Sequence, residues 1–246
     1  MKHLRASVLI IGLLTHFIAN ADSQPAIKVG YYEFPPYSYT DKQGNPKGSI
    51  LELCHTLLTV KGYSVTFKGL PSARLYRELI SGDIDLWLGA LGKPELAEHV
   101  LESTQRIGEI SLGLFYHPDV LEPELPNDLK DKKIILISGY SYWLPASQWL
   151  ADSSLNLEIT KTRQHSSAIA MLMRKRADYL LNYLGPMRAA QKELGLNGLR
   201  LPYIPINSIP LTFIVSRKSA QPEQLLNDLE TAYITYRTLR LYYHNY

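Results

Sequence analysis

The 246-residue sequence predicts an α/β protein built as two lobes. Three observations carry that expectation. Short strand-like and helix-like runs alternate from Ala26 onward, a polar, proline-rich stretch interrupts them at 117–133, and a second α/β series starts at Ile134. Such alternation builds a mostly parallel sheet, because each helix carries the chain back to begin the next strand at the same end.

The opening residues come first in that order. Met1, Lys2, His3, Leu4 and Arg5 precede an apolar run from Val8 to Ala19 and an Ala19-Asn20-Ala21 end. A charged start, a short apolar middle and small residues at the end are the pattern of a secretory signal peptide, here residues 1–21. Thr15 and His16 interrupt the apolar run, which falls short of the roughly 20 residues a spanning helix needs. Export, cleavage near Ala21 and a periplasmic address are therefore expected.

Ile27 to Tyr31 reads as a strand, and Ser49 to Lys61 as a helix with Ser49 and Glu52 as a capping box. Ile50, Leu53, Cys54, Leu57 and Leu58 share one face of it until Gly62 stops it. Strands at 63–67 and 84–88 flank a helix at 72–81 that ends at Gly82, and 110–116 is a further strand. The second series reads as strand 134–138, helix 144–150, strand 157–160, helix 166–176 and strand 179–182. A helix around 186–194, a strand at 211–216 and a helical stripe of Leu225, Leu229, Tyr233, Tyr236 and Leu239 complete the chain.

Composition narrows the function classes. The formal net charge of +3 is small and belongs partly to the leader, so nucleic acid and anionic membranes are not implied as partners. Arg174-Lys175-Arg176 reads as a solvated helix end. Cys54 is the single cysteine, which rules out an intramolecular disulfide; on an apolar helix face it is expected to be a buried, inert thiol. It lies too far from the leader to carry a lipid there, so a free soluble protein is expected; a monomer is expected as well. Enzyme signatures fail on spacing. Gly139-Tyr140-Ser141-Tyr142-Trp143 lacks the closing glycine of a nucleophile elbow. Gly92-Lys93 has Pro94 where a phosphate-binding loop needs Ser or Thr, and the histidines form no zinc-type pair four residues apart. No metal or cofactor is implied.

The run Ile27-Lys28-Val29-Gly30, then Phe34-Pro35-Pro36-Tyr37-Ser38-Tyr39, Asp41, Gly44, Gly48-Ser49 and Leu79-Ile80-Ser81-Gly82-Asp83-Ile84-Asp85, resembles the extracellular solute-binding proteins of family 3, the amino-acid-binding type that serves ABC importers. Leu129 to Ile134, Met171-Leu172 and Arg176-Ala177-Asp178-Tyr179 continue the likeness. The resemblance implies a periplasmic-binding-protein type II fold, in which two crossover strands join the lobes and a small solute sits in the cleft between them. Lobe 1 is then 26–116 plus 212–246 and lobe 2 is 117–211. Hinge closure on the solute, delivery to an inner-membrane ABC permease or signalling to a sensor, and an amino-acid-like ligand follow from the same resemblance. Two departures stand out. Pro94-Glu95-Leu96 lacks the arginine that holds an α-carboxylate, and Asn182 or Tyr183 stands where an aspartate holds an α-ammonium. A standard free α-amino acid is therefore not implied.

Candidate ligand contacts cluster at strand ends. Tyr32, Phe34 and Tyr37 follow the first strand and offer aromatic faces, or else seal the lobe; Glu33 between them suits a cationic group. Some proteins of this fold are periplasmic dehydratases that use a cleft carboxylate, so Glu33 is also the candidate general acid of the alternative, enzymatic reading. Arg74, in the first turn of the second helix, suits a carboxylate. Gly89, Ala90 and Lys93 follow the third strand, while Trp87 is expected in the core. In the second half, Gly139, Ser141 and Tyr142 form a small-residue turn before a helix, whose amides suit an anionic or carbonyl oxygen, and Asn182 ends a strand.

Overall fold

The computed structural model describes residues 26–196 and 198–244, so the expected leader lies outside the described residues. Lobe 1 is built on three strands, β1 (Ile27–Tyr31), β4 (Val65–Gly69) and β5 (Leu86–Ala90). Between β1 and β4 lie a short hairpin, β2 (Tyr39–Thr40) with β3 (Pro46–Lys47), and helix α1 (Ser49–Val60); helix α2 (Ser72–Ser81) precedes β5. A short strand, β6 (Val100–Glu102), leads into β7 (Gly108–Tyr116), which carries the chain into lobe 2. There β8 (Lys133–Ile137), α3 (Ala146–Ala151), β9 (Glu158–Thr162), α4 (His165–Met173), β10 (Tyr179–Tyr183) and α5 (Leu184–Glu193) follow. Strand β11 (Tyr203–Ser216) returns the chain, and α6 (Pro222–His244) closes on lobe 1.

The strands form one path, β4-β1-β5-β11-β7-β10-β8-β9, with β6 paired to β11. β1 and β4 are parallel, as are β8 with β9 and with β10, which is the geometry that strand-helix-strand connections impose. β7 and β11 run antiparallel from Tyr203↔Phe115 to Leu211↔Gly108, with an irregularity between Pro205 and Asn207. On its other edge β7 pairs with β10 from Leu112↔Tyr183 to Tyr116↔Tyr179, and β11 pairs with β5 from Leu211↔Ala90 to Val215↔Leu86. These two strands are the crossovers between lobes.

Alternation along the strands sorts the core. In β5, Leu86 and Leu88 join Phe213 and Val215 of β11 against Cys54, Leu57 and Leu58 of α1 and Leu225 and Leu229 of α6. Trp87 and Ile214 point the other way, onto Leu75 and Leu79 of α2. In lobe 2, Ile135 and Ile137 pack on Ala168, Ile169 and Leu172 of α4 and Met187 of α5. Ile134 and Leu136, on the opposite face, belong to a cluster that also holds Ala146, Tyr183, crossover residues Leu112, Leu114, Ile209 and Leu211, and Phe34 of lobe 1. The lobes therefore share apolar packing as well as a ladder. Cys54 is buried, and burial pushes its thiol far above the usual range, the condition of an unreactive cysteine.

Several local expectations change. The cap of α1 is Gly48, at φ 121°, and no side chain caps the helix, so the Ser49/Glu52 capping box does not form. The reason is steric: the chain passes so close to the Tyr37 carbonyl that a Cβ at Gly48 would lie 2.3 Å from that oxygen, and Ser49 is already inside the helix. The strands expected at 63–67 and 84–88 begin two residues later, at Val65 and Leu86. Tyr63 instead closes α1 through its N–H to the Leu58 carbonyl, and Ile84 closes α2 through its N–H to the Glu78 carbonyl. The return strand is 14 residues long, masked in the sequence by Pro205 and Pro210.

Gly48→Ala is expected to cost more than about 2 kcal/mol, from the positive φ and the backbone clash together, whereas Ser49→Ala should change stability by less than about 0.5 kcal/mol. Urea denaturation distinguishes this from a working capping box, in which Ser49→Ala costs about 1 kcal/mol.

Candidate functional site

A cleft of about 1100 Å³ opens between the lobes. Lobe 1 contributes Tyr32, Glu33 and Pro35 after β1, Thr40, and the segment from Gly69 to Ala73 that leaves β4 and starts α2. Lobe 2 contributes Ile137 to Tyr140 at the end of β8, Arg163 and Gln164 between β9 and α4, His165 and Ser166 in the first turn of α4, and Ala189, Ala190 and Glu193 of α5. The cleft thus lies outside the carboxyl ends of parallel strands, where open α/β sheets place ligands because chain direction there turns outward into loops. Its walls mix apolar and polar groups and carry both charges. Arg163 forms no ion pair among the described residues, while the Glu33 carboxylate accepts hydrogen bonds from the Thr40 amide at 3.1 Å and the Thr40 hydroxyl at 2.7 Å.

Direct hydrogen bonds span the cleft. Ser72 Oγ donates to the Gly139 carbonyl at 2.7 Å, and the Tyr140 hydroxyl donates to the Glu33 carbonyl at 3.3 Å. The Tyr140 oxygen also lies 2.9 Å from His165 Nε2, and His165 Nδ1 lies 2.9 Å from Asn182 Nδ2. Direction along this chain follows from one anchor: Asn182 Oδ1 accepts the Tyr183 amide at 2.8 Å, so the amide nitrogen of Asn182 must be the donor to His165. His165 is then neutral with its proton on Nε2, which donates to Tyr140, leaving the Tyr140 proton for Glu33. Burial holds His165 down to about 4, consistent with that neutral form.

Beneath the cleft an aromatic seam joins the lobes. Phe34 stacks on Tyr37 at 5.6 Å between ring centres and meets Tyr140 at 5.2 Å and Tyr183 at 5.3 Å. Tyr32 touches Trp87 at 5.9 Å and Tyr140 at 6.4 Å. Burial pushes the Tyr32 phenol up to about 12 and those of Tyr76, Tyr140, Tyr142 and Tyr183 higher still, so all are neutral hydroxyls. Within the seam Lys93, 4% exposed, donates to Ser141 Oγ at 3.0 Å.

Of the residues expected at the site, Tyr32, Glu33 and Gly139 line the cleft. Phe34 and Tyr37 form the seam, Lys93 and Ser141 meet across the lobes, and Asn182, wholly buried, positions His165. The rest lie apart. Arg74 donates to Glu78 at 2.7 Å, and Glu78 also holds Lys68 at 2.8 Å. Tyr142 turns into lobe 2, where its oxygen accepts the Ile137 amide at 2.7 Å. Gly89 sits under the Trp87 ring, and Ala90 pairs with Leu211 inside the sheet. The turn at 138–142 does not open a helix: α3 starts only at Ala146 and has six residues, and the helix starts that line the cleft are those of α2 and α4 instead. Leu96, in place of the missing arginine, is fully buried in the lobe 1 core.

Ser72, Ser138, Tyr140, Arg163, His165 and Glu193 were not singled out from the sequence as contacts. Ser138 and Tyr140 enter the sequence reading only as part of the turn around Gly139, and His165 only as a histidine without a metal-binding partner. The available signal was position after a strand end, and the strand expected at 157–160 runs on to Thr162, which hid the link between Arg163 to Ser166 and the cleft.

Sequence and fold comparisons agree with this architecture. No curated protein matches the chain by sequence. Among solved structures, a histidine kinase sensor domain with similarity to periplasmic binding proteins superposes with a TM-score of 0.71 at 20% identity, covering 91% of this chain and 95% of that one. An ancestral arginine-binding protein bound to arginine gives 0.70 at 20% identity, covering 88% and 94%. An ancestral amino acid-binding protein, a precursor of cyclohexadienyl dehydratase, gives 0.67 at 20% identity, covering 87% and 90%. At these identities the likeness is one of fold. The family model for bacterial extracellular solute-binding proteins, family 3, matches residues 27–194, more than half of the chain, and with two lobes, two crossover strands and a cleft at the strand ends, the chain belongs to that family.

Proposed function

We propose that this protein is an exported solute-binding protein that holds a small polar molecule between its lobes and passes it to an inner-membrane ABC permease. The observation that carries the reading is the cleft itself. About 1100 Å³ is room for a small solute, both lobes furnish polar groups to it, and the hydrogen bonds that span it are ones that lobe separation breaks. Glu33, Arg163 and Glu193 offer charges of both signs, which suits a ligand that itself carries more than one polar group. Capture without chemistry is favoured because the Glu33 carboxylate is engaged by Thr40, and the neighbouring His165 is fixed by Asn182 and Tyr140 rather than aimed at open space.

A sensory role is the second reading. It is supported by the likeness to a histidine kinase sensor domain over 91% of this chain, and the same closing cleft serves it, with a membrane receptor in place of the permease.

Two outcomes check the proposal. In a thermal-shift screen of amino acids, polyamines, organic acids and short peptides, one class should raise the melting temperature, because a ligand that binds only the folded state stabilises it. Ala73→Trp, at an exposed position on the cleft wall, should fold normally and lose that shift; a shift that survives it places the solute elsewhere. The second outcome concerns pH. His165 is held below its unfolded value of about 6.5, so the unfolded chain binds more protons and stability falls as pH drops. Between about pH 6.5 and pH 5 the loss should be roughly 1.5 kcal/mol, and His165→Gln should flatten that part of the curve. An unchanged slope in the variant contradicts the neutral, buried His165.

A further inference from the structure

The surroundings of Lys93 are those of a bound ligand. The residue lies in the loop after β5, where the Gly92 amide donates to the Glu102 carboxylate at 2.9 Å and fixes the approach. Its ammonium is 4.9 Å from the centre of the Tyr76 ring and 5.2 Å from that of Trp143, donates to Ser141 Oγ at 3.0 Å, and has the Glu95 carboxylate at 3.8 Å. Two aromatic faces, a hydroxyl acceptor and a carboxylate are each groups that stabilise a cation, and together they form a box for a primary ammonium. Tyr76 and Glu95 belong to lobe 1, Ser141 and Trp143 to lobe 2. The box therefore exists only while the lobes are together.

An ammonium that satisfies its partners inside the protein is not free to anchor an anionic solute, and Lys93 is not on the cleft wall. Burial also pulls the lysine below its usual range, so the ammonium is held at a desolvation cost that its partners offset. We propose that Lys93 is a built-in occupant of an ammonium site, a latch that draws the lobes together before any solute arrives. The same box takes an external primary ammonium group once the lysine side chain is absent or withdrawn. This inference rests on the reading that the lobes open and close around a solute.

The test uses Lys93→Ala with n-butylammonium as the probe and n-butanol as its neutral counterpart. Lys93→Ala should melt below the wild type, and butylammonium at ten times its half-saturating concentration should raise its melting temperature by about 4 °C. The wild type and the double variant Lys93→Ala/Ser141→Ala should show no such rise, and butanol should not substitute. Equal rescue by butanol, or none by either probe, overturns the ammonium box. Should Lys93→Ala fail to fold, Lys93→Met keeps the apolar stem and removes the charge. In solution scattering it should then give a larger radius of gyration than the wild type without any solute, and equal radii overturn the latch. The solute screen above uses the intact lysine, so the two ideas fail separately: a solute shift without rescue here removes only the latch.

Discussion

The β7–β11 ladder is the constraint on which the rest of the molecule depends. Each lobe has its own parallel strands and helices, yet only these two strands pass between them, and while paired with each other β11 joins the sheet of lobe 1 through β5 and β7 joins that of lobe 2 through β10. A two-strand connection resists separation along its hydrogen bonds while allowing the chain to bend where pairing is irregular, as it is between Pro205 and Asn207. The position of the cleft follows from it. Because the crossovers bring the carboxyl ends of β1, β4, β8 and β9 to face one another, the loops after those strands become its walls.

Apolar packing then decides how the lobes meet. Phe34, on a loop of lobe 1, is 5% exposed, with Tyr140 and Tyr183 of lobe 2 against it as well as Tyr32 and Tyr37 of its own lobe, and a Cβ at Gly185 would run into the Tyr37 ring. Into this apolar seam the sequence places groups that need partners: Lys93, His165, Asn182 and several phenols. Each has one, and among the described residues no buried side-chain nitrogen or oxygen is left without a hydrogen bond. His165 and Asn182 are satisfied within lobe 2, whereas the bonds of Lys93 to Ser141 and of Ser72 to Gly139 cross the lobes, so separation or misalignment leaves those groups unpaired and makes closure specific.

Much of the fold was legible from pattern alone. Alternating apolar runs gave the main strands and helices of both α/β series in their order along the chain. What pattern missed has physical reasons. Gly48 caps α1 because of a close approach to Tyr37, a tertiary contact that leaves no trace in spacing. β11 was read as six residues because Pro205 and Pro210, which cannot donate to a ladder, broke its apparent run. The site divided in the same way. Tyr32, Glu33 and Gly139 follow strands whose ends were nearly right, whereas Arg163 and His165 follow a strand that was ended too early. Arg74 looked like an anion anchor by residue type, but its helix position places Glu78 one turn away, and that carboxylate takes it.

Hydrogen–deuterium exchange with and without a solute that shifts the melting temperature tests the central claim most directly. The account predicts slowed exchange in both walls at once, at 69–73 in lobe 1 and 137–140 in lobe 2. Slowing confined to one lobe, or found only away from these segments, would contradict a solute held between them.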